Sequence, residues 1–547
     1  MADPAPTGDA SERRAACEAA LRTRPDDAAL HADLGDALQT LGELEEAIAS
    51  YRRAVALDER LTRAWYAGGC AQAARKEYAE AVSCFRQALA LVPDHAEAHH
   101  NLGEALFNLG QVDPALDEFR EAVALGQGFV PRSAIATAIP GSPSASNASI
   151  LDARRAFATH HLPPSDREKF SGRRAPLADR RLRIGYVSAF FDRENWMKPV
   201  WALIDHHDRD QFEIHLFADA KASDVRPGRP VQPPDQLHET ARLSNRQIAD
   251  LIERCEIDVL VDLNAYSALG RLPIFSMRPA PVIAAWFNLF ATSGMDAYDY
   301  IIGDACVIPR EEERHYTEAI VRVPGSYLTF QVAYPVPDVA VPPYAARARI
   351  TFGCLASQYK ITTEVVEAWS WILRACPQSR LVLKNAALGS VANRRFVVEL
   401  FARFGIAPEQ LALEGPSPHF EFLEKYGGID LALDTFPYNG GTTTTEAIWQ
   451  GVPVLTFYGD RWASRTSASI LRAGGLGEFV APDLDSHVQQ AIALATSPAT
   501  PARLAELRRA MRDRLRQSPV CEAAAFAAAM EREYRRMWRR WCRGEGR

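Results

Sequence analysis

The chain has 547 residues, a formal net charge of −7, a pI of about 6.1 and 47% apolar residues. One hydrophobic core does not serve such a length, so about two to four domains are expected, and the acidic balance argues against a nucleic-acid binder. No stretch approaches the ~20 apolar residues of a membrane span, the opening MADPAPTGDASERR lacks the apolar core of a signal peptide, and nine cysteines without a CxxC pair read as reduced thiols. A cytoplasmic protein with no membrane association is the expectation.

Four positions recur every 34 residues: Gly35, Gly69 and Gly103; Ala47, Ala81 and Ala115; Tyr51, Phe85 and Phe119; Ala54, Ala88 and Ala122. Small residues let paired helices approach closely, and the aromatic fills the gap between neighbouring pairs. Asp58 and Pro93 fall in the turns after the second helices, and Cys17, Ala20 and Pro25 fit the tail of an earlier, partial repeat. The spacing resembles tetratricopeptide repeats, one partial and three full, over residues 11–126. A solenoid of this kind presents a concave face for a peptide or protein; a scaffold or dimerisation arm is the plainer use, and a homo-oligomer is left open. Three full repeats are near the minimum for a self-supporting stack, so the array is expected to dock on the residues C-terminal to it.

Residues 126–149 are rich in Gly, Pro, Ser and Ala, and GSPSASNAS at 141–149 reads as a flexible or turn-rich connection. A helix is predicted over 150–161, stopped by Pro163 and Pro164, and a basic linker over 166–181. The whole of 127–181 is thus read as a linker with one helix.

From 182 the pattern is α/β. Strands are predicted at 182–187 (LRIGYV), Phe212–Ala218, 257–263, 281–286 and 300–304, with a helix over 244–255 capped by Ser244. A second α/β unit begins near 349, with strands at 350–354, 379–384, 411–413 and Leu431–Leu433, and helices over Thr363–Ala375, 397–404 and 420–426. The first domain is placed at 182–345, the second at 346–500, and a long helical tail at 501–547. Strands alternating with helices imply parallel sheets, whose ligands sit beyond the C-terminal strand ends. LRIGYVSAFFDRE has a single Gly, which disfavours a dinucleotide fingerprint, and no HExxH or paired Cys/His motif points to a metal.

Residues 431–453, LALDTFPYNGGTTTTEAIWQGVP, carry the most chemistry. An apolar strand ends in Asp434; a turn with Pro437, Asn439, Gly440 and Gly441 leads into Thr442, Thr443, Thr444 and Thr445, then Glu446 and an apolar helix. That order puts backbone N–H groups and hydroxyls at a helix N-terminus, where a phosphate or diphosphate is stabilised, with Glu446 one turn in, within reach of a ribose. An ordinary βα turn with a threonine cap has the same pattern.

Further segments join this one in a fixed order: LRIGYVS at 182–188, IDVLVDLNAYS at 257–267, MRPAPVIAAWFNLFATSG at 277–294, DYIIGD at 299–304, FGCLASQYKI at 352–361, VEAWSWILRACPQSRLVL at 366–383 and RWASRTSASIL at 461–471. Together they resemble the tetratricopeptide-repeat protein O-glycosyltransferases, the O-GlcNAc transferase and SPINDLY-like group with a GT-B catalytic region. FPYNGGTTTTEA is more similar to the bacterial and plant SPINDLY-type branch than to the animal one. The resemblance implies a repeat solenoid followed by two Rossmann-like domains with a cleft between them. It also implies an inverting, metal-independent transfer of a sugar from a nucleotide donor to Ser or Thr of a protein. It implies no cofactor beyond the co-substrate, a UDP-sugar first, with GDP- or CMP-sugars as alternatives. It assigns the donor diphosphate to Thr442 and Thr443 with Thr444, within a pocket that includes Asn439, Gly440, Gly441 and Ser357. The ribose falls to Glu446, and stabilisation of the leaving diphosphate to Lys360.

The departures fall on the acceptor side. FFDRENWMKP lacks the His that many relatives carry after the first strand, leaving Arg193, Glu194 and Asn195 nearest; Ala265-Tyr266-Ser267 stands where Gly-His-Thr is common; Phe422 replaces another His. A different sugar, a dedicated acceptor such as flagellin, or donor binding without turnover each accounts for them, the last making the chain a repeat-based adaptor. A proton acceptor within hydrogen-bond reach of the acceptor hydroxyl is needed. Asp192, Glu194, Asp262 and His419 qualify by type, and Glu194, in the loop after the first strand, is the best placed. Lys360, Glu194 and Tyr266 are therefore the expected catalytic set.

Overall fold

The computed structural model describes residues 7–166, 169–170, 178–226, 234–347 and 349–545. Among the described residues nine α-helices come first: α1 Thr7–Thr23, α2 Ala28–Thr40, α3 Leu44–Leu57, α4 Thr62–Ala74, α5 Tyr78–Leu91, α6 Ala96–Asn108, α7 Val112–Ala124, α8 Phe129–Ala138 and α9 Asn147–His161. The 34-residue period has a steric origin. A Cβ at Gly35 would lie 2.6 Å from the Tyr51 ring, at Gly69 2.7 Å from Phe85, and at Gly103 2.6 Å from Phe119. In each pair the aromatic of the second helix thus rests on bare backbone of the first, and the alanines at 47, 54, 81, 88, 115 and 122 are fully buried around it.

A further periodic position lies in the turns. Gly42, Lys76 and Gly110 share the same spacing and all have positive φ. Two of them meet the segment on which the array docks. Asn393 accepts from Ala79 N at 3.0 Å and donates to the carbonyls of Lys76 at 2.7 Å and Ala387 at 2.8 Å. A Cβ on Gly110 would lie 2.2 Å from the Ile361 carbonyl oxygen. The described residues of Met1–Ala138 accordingly form one compact unit with Leu355–Ser370 and Leu383–Pro416. The other unit comprises Ile139–Cys354, Trp371–Val382 and Ser417–Arg547.

The expected connection at 126–149 is more ordered than its composition suggests, since α8 occupies Phe129–Ala138 and a capping box at Ser146 and Ser149 starts α9. Pro131 is no obstacle in a helix's first turn. The basic linker at 166–181 lies largely outside the described residues. The tail is two helices, Thr500–Arg516 and Ala523–Cys542, interrupted at Pro519.

Seven strands form the first parallel sheet: β1 Leu182–Ser188, β2 Phe212–Ala218, β3 Gln236–Glu239, β4 Val259–Asp262, β5 Val282–Ala285, β6 Tyr300–Gly303 and β7 Ala319–Arg322, in spatial order β3-β2-β1-β4-β5-β6-β7. Six form the second: β8 Thr351–Cys354, β9 Arg380–Lys384, β10 Leu411–Glu414, β11 Leu431–Leu433, β12 Val454–Phe457 and β13 Val480–Ala481, in order β10-β9-β8-β11-β12-β13. Edge strand β3, QLHE, has no run of apolar residues to announce it, and edge strand β7, AIVR, has only a short one. Among the described residues no helix is long and apolar enough to cross a membrane.

Gly110→Ala is expected to cost about 1–3 kcal/mol in urea denaturation, through a forced backbone shift. Gly42→Ala, where φ is +81° but nothing lies within 4 Å, is expected to cost less. Equal losses would rule out the docking contact as the cause. A second expectation concerns His487, fully buried beside Phe457. Burial holds its pKa down to about 4, against an ordinary 6.5. The unfolded chain binds the extra proton between those values, so the stability is present above about 6.5 and is lost as pH falls. The loss from pH 7 to pH 5 is about 2 kcal/mol, and His487→Leu should flatten denaturation midpoints across that window.

Candidate active site

The glycine–threonine turn lies at the C-terminal end of β11, in the second compact unit. Asp434 shapes it. Its Oδ1 accepts from Thr435 N at 3.0 Å and Gly440 N at 2.8 Å, and its Oδ2 accepts from Thr456 Oγ1 on neighbouring β12 at 2.8 Å. One carboxylate thus clamps both ends of the turn. Thr435 Oγ1 donates to the Tyr438 carbonyl at 2.8 Å, and Asn439 N to that of Ala463 at 3.0 Å. Gly440 is required sterically, since a Cβ there would meet Thr444 Oγ1 at 2.4 Å and Thr443 Oγ1 at 2.8 Å.

The helix Thr442–Trp449 begins immediately, with Gly441 at its N-cap and no side-chain cap. Its threonines divide. Thr444 is buried, its hydroxyl 2.7 Å from Ser467 Oγ, which in turn donates to the Gly440 carbonyl at 2.9 Å. Thr445 Oγ1 donates to the Thr442 carbonyl at 2.8 Å. Thr442 and Thr443 remain partly exposed at the helix start. Of the three threonines expected to bind phosphate, Thr444 therefore has its hydroxyl committed to holding the turn.

Glu446, one turn further, is buried at 4% exposure. Its Oε1 lies 3.8 Å from Lys198 Nζ and 3.7 Å from His419 Nε2, and Asn195 hydrogen-bonds the carboxyl. Lys198 is 3% exposed and donates to the Asn195 carbonyl at 2.9 Å. Burial raises the Glu446 pKa and lowers that of Lys198, while their mutual attraction opposes both shifts. Burial, then the Lys198 charge, lowers the pKa of His419. Lys198 starts the short helix Lys198–Ile204 after β1, so the contact joins the loop after the first sheet's β1 to the helix after the second sheet's β11. Sequence reasoning misses Lys198; its only signal is a lysine immediately before Pro199 at a helix start.

Beside the pair lies a cavity of about 320 Å³, lined among others by Glu194, Lys198, Trp201, Tyr334 and Trp449. Glu194 Oε1, Trp201 Nε1 and Trp449 Nε1 are buried without hydrogen-bond partners, as are Glu446 Oε1 and His419 Nε2. Buried polar atoms are rarely left so in native proteins unless a ligand or water satisfies them.

Tyr266, expected in the catalytic set, is buried. Its hydroxyl donates to the Ser293 carbonyl at 2.7 Å, and its ring lies 4.2 Å from the Arg154 guanidinium. Arg154 on α9 donates to the carbonyls of Leu289 at 3.2 Å and Thr292 at 2.6 Å, so Tyr266 and Arg154 together support the segment after β5. Asp262 is likewise structural: it accepts from Asn264 N, Ala265 N and Tyr298 Oη, and burial pushes its pKa up to about 6. Asp192 is exposed beside Arg193.

Lys360 and Ser357 belong to the first compact unit. Ser357 precedes the short turn Gln358–Lys360, its carbonyl accepting from Lys360 N at 3.0 Å, and the Lys360 ammonium lies 5.9 Å from the Tyr359 ring. Tyr359 stacks on Phe107 of α6 at 5.1 Å, and Asn385 donates to Gln358 Oε1 at 3.2 Å. The repeat array itself therefore positions the Lys360 loop.

A helical repeat array followed by two parallel sheets, with a glycine–threonine turn on the second, is the architecture of a repeat-bearing GT-B fold. The description of glycosyl transferase family 41 matches residues 160–339 and 343–530, and tetratricopeptide repeats match 28–60, 69–110 and 96–128. The chain belongs to glycosyl transferase family 41. It is 31% identical over 375 residues to a probable UDP-N-acetylglucosamine–peptide N-acetylglucosaminyltransferase SPINDLY of Oryza sativa subsp. japonica, covering 68% of this chain and 40% of that protein. It is 28% identical over 378 residues to the corresponding protein SEC of Arabidopsis thaliana, covering 67% and 38%. The chain thus spans about two fifths of the length of these curated relatives. A mutant of the Thermobaculum terrenum O-GlcNAc transferase superposes with a TM-score of 0.78 at 29% identity, over 97% of this chain and 99% of that one.

Removing one partner of a buried pair leaves an uncompensated charge, so Lys198→Met is expected to cost about 3–5 kcal/mol in urea denaturation. Adding Glu446→Gln should recover most of that loss. A double variant as unstable as the two single losses summed would show that the groups do not interact.

Proposed function

We propose that the chain is a protein O-glycosyltransferase that transfers a sugar from a nucleotide-sugar donor, UDP-N-acetylglucosamine first, to serine or threonine hydroxyls of a protein. The reaction inverts the anomeric centre and needs no catalytic metal. The donor class comes from the names of the relatives. The observation that carries the reading is Glu446 and His419: a buried acceptor and a buried ring nitrogen 3.7 Å apart, neither atom hydrogen-bonded, one helical turn after a glycine–threonine turn. A ribose hydroxyl placed between them would bond both, relieving a cost of about 1–3 kcal/mol per unsatisfied group.

In this reading the N–H groups at the start of the helix Thr442–Trp449 and the Thr442 and Thr443 hydroxyls take the diphosphate, with Gly440, Gly441 and Asn439 shaping the cradle and Thr444 holding it. Ser357, through its carbonyl, closes the turn that presents Lys360. Lys360 neutralises the charge that develops on the leaving diphosphate as the glycosidic bond breaks. Glu194, whose buried Oε1 faces the cavity, accepts the proton of the attacking hydroxyl. The repeats hold the protein acceptor, flagellin being one candidate.

Intact-mass measurement of acceptor protein, after incubation with the full chain and a panel of UDP-, GDP- and CMP-sugars, tests this. One donor should add its sugar mass, and Lys360→Ala should abolish the addition without altering the circular dichroism. Donor binding with no addition from any sugar would favour the adaptor reading, a repeat protein that binds the nucleotide sugar without turnover.

A further inference from the structure

The outer edge of the first sheet carries a second cluster, which the proposed transfer does not use. His215 on β2, His238 on edge strand β3 and Cys255, the C-cap of the helix Asn245–Arg254, bring two ring nitrogens and a sulfur within 4.8 Å of one another. His215 Nδ1 is 3.1 Å from His238 Nε2, and Cys255 Sγ is 3.9 Å from the same nitrogen. The strand register explains the meeting. β2 and β3 run parallel with His215 opposite Gln236 and Phe217 opposite His238, so both histidines project from one face, over which the helix delivers the cysteine.

A partner behind the cluster orients it. His215 Nε2 lies 3.0 Å from Glu213 Oε1, which also accepts from Gln236 Nε2 at 3.0 Å. A carboxylate at Nε2 holds the imidazole proton there and leaves the Nδ1 lone pair aimed at His238 and Cys255. That carboxylate–histidine arrangement is the usual backing of a metal-bound imidazole. His215 is buried, while His238 and Cys255 are partly exposed, so an ion and a water can reach the cluster.

We propose that His215 Nδ1, His238 Nε2 and Cys255 Sγ bind one zinc-class divalent ion, with water in the fourth position. Bonds of about 2.0–2.1 Å to nitrogen and about 2.3 Å to sulfur place tetrahedral ligand atoms roughly 3.3–3.8 Å apart, close to the separations of 3.1 and 3.9 Å. Two imidazoles and a thiolate suit zinc or cobalt over magnesium or calcium. Binding releases the thiol proton to solvent and changes no oxidation state. The bound ion would fasten edge strand β3 and the helix end to β2, with the water position left open. The ligands are 23 and 17 residues apart, a spacing no short motif records.

The test uses the full chain, stripped with a chelator and titrated with Co(II). One equivalent should give a thiolate-to-cobalt charge-transfer band in the near ultraviolet, bleached by Zn(II). Cys255→Ser should lose the band, and Glu213→Gln should keep it while weakening affinity about 10–100-fold. His238→Ala, at a partly exposed position, should weaken binding at least as much, and it serves as the test if the cysteine variant misfolds. No band, or a band unchanged in Cys255→Ser and His238→Ala, would overturn the proposal and leave an imidazole–imidazole hydrogen bond beside a packed thiol.

Discussion

The buried contact between Lys198 and Glu446 is the constraint on which the second compact unit depends. Two opposite charges, each almost wholly removed from water, face each other at 3.8 Å from the ends of two different sheets. Such a pair is a weak source of net stability and a strong penalty when broken, so it disfavours arrangements of β1's loop and β11's helix that part the two residues. The surroundings reinforce it. Asp434 clamps the turn, Ser467 holds Thr444 and the Gly440 carbonyl, and the helix Thr500–Arg516 reaches back with Arg512 to the Trp449 carbonyl at 3.0 Å. Polar atoms of Glu194, His419 and Glu446 stay buried there without hydrogen-bond partners.

In the first unit the organising feature is steric. The same glycine–aromatic contact repeats three times, and the turns at Gly42, Lys76 and Gly110 repeat with it. The last repeat sets its Gly110 turn against the Ile361 carbonyl and Phe107 stacked on Tyr359, beside Lys360. The repeats and the Lys360 loop therefore belong to one compact unit.

Much of this is legible in the residues. Glycine and alanine at a 34-residue period report backbone contacts that only small residues allow, and apolar runs bounded by turns mark most central strands. The phosphate-type turn is legible because Asp, Gly-Gly and Thr each impose local geometry. The features that are not legible depend on distance in sequence. Lys198 and Glu446 are 248 positions apart in the numbering, and nothing local pairs them. Thr444 looks the same as Thr443 until Ser467 is brought beside it. Nothing local announces that Arg154, from a helix more than a hundred residues earlier, packs against the Tyr266 ring. Residues 126–149 mislead because their composition suits a loop while Ile139, Ala136 and Ala138 find a buried surface.

The central claim is that the glycine–threonine turn grips a nucleotide through its diphosphate. Calorimetric titration of the full chain with UDP and with uridine tests it most directly. The account predicts that UDP binds at least ~10-fold more tightly, about 1.4 kcal/mol, and that replacing Thr442 and Thr443 together by valine removes most of the difference while leaving uridine affinity unchanged. Equal affinities for UDP and uridine, or a UDP preference untouched by the threonine changes, would contradict it.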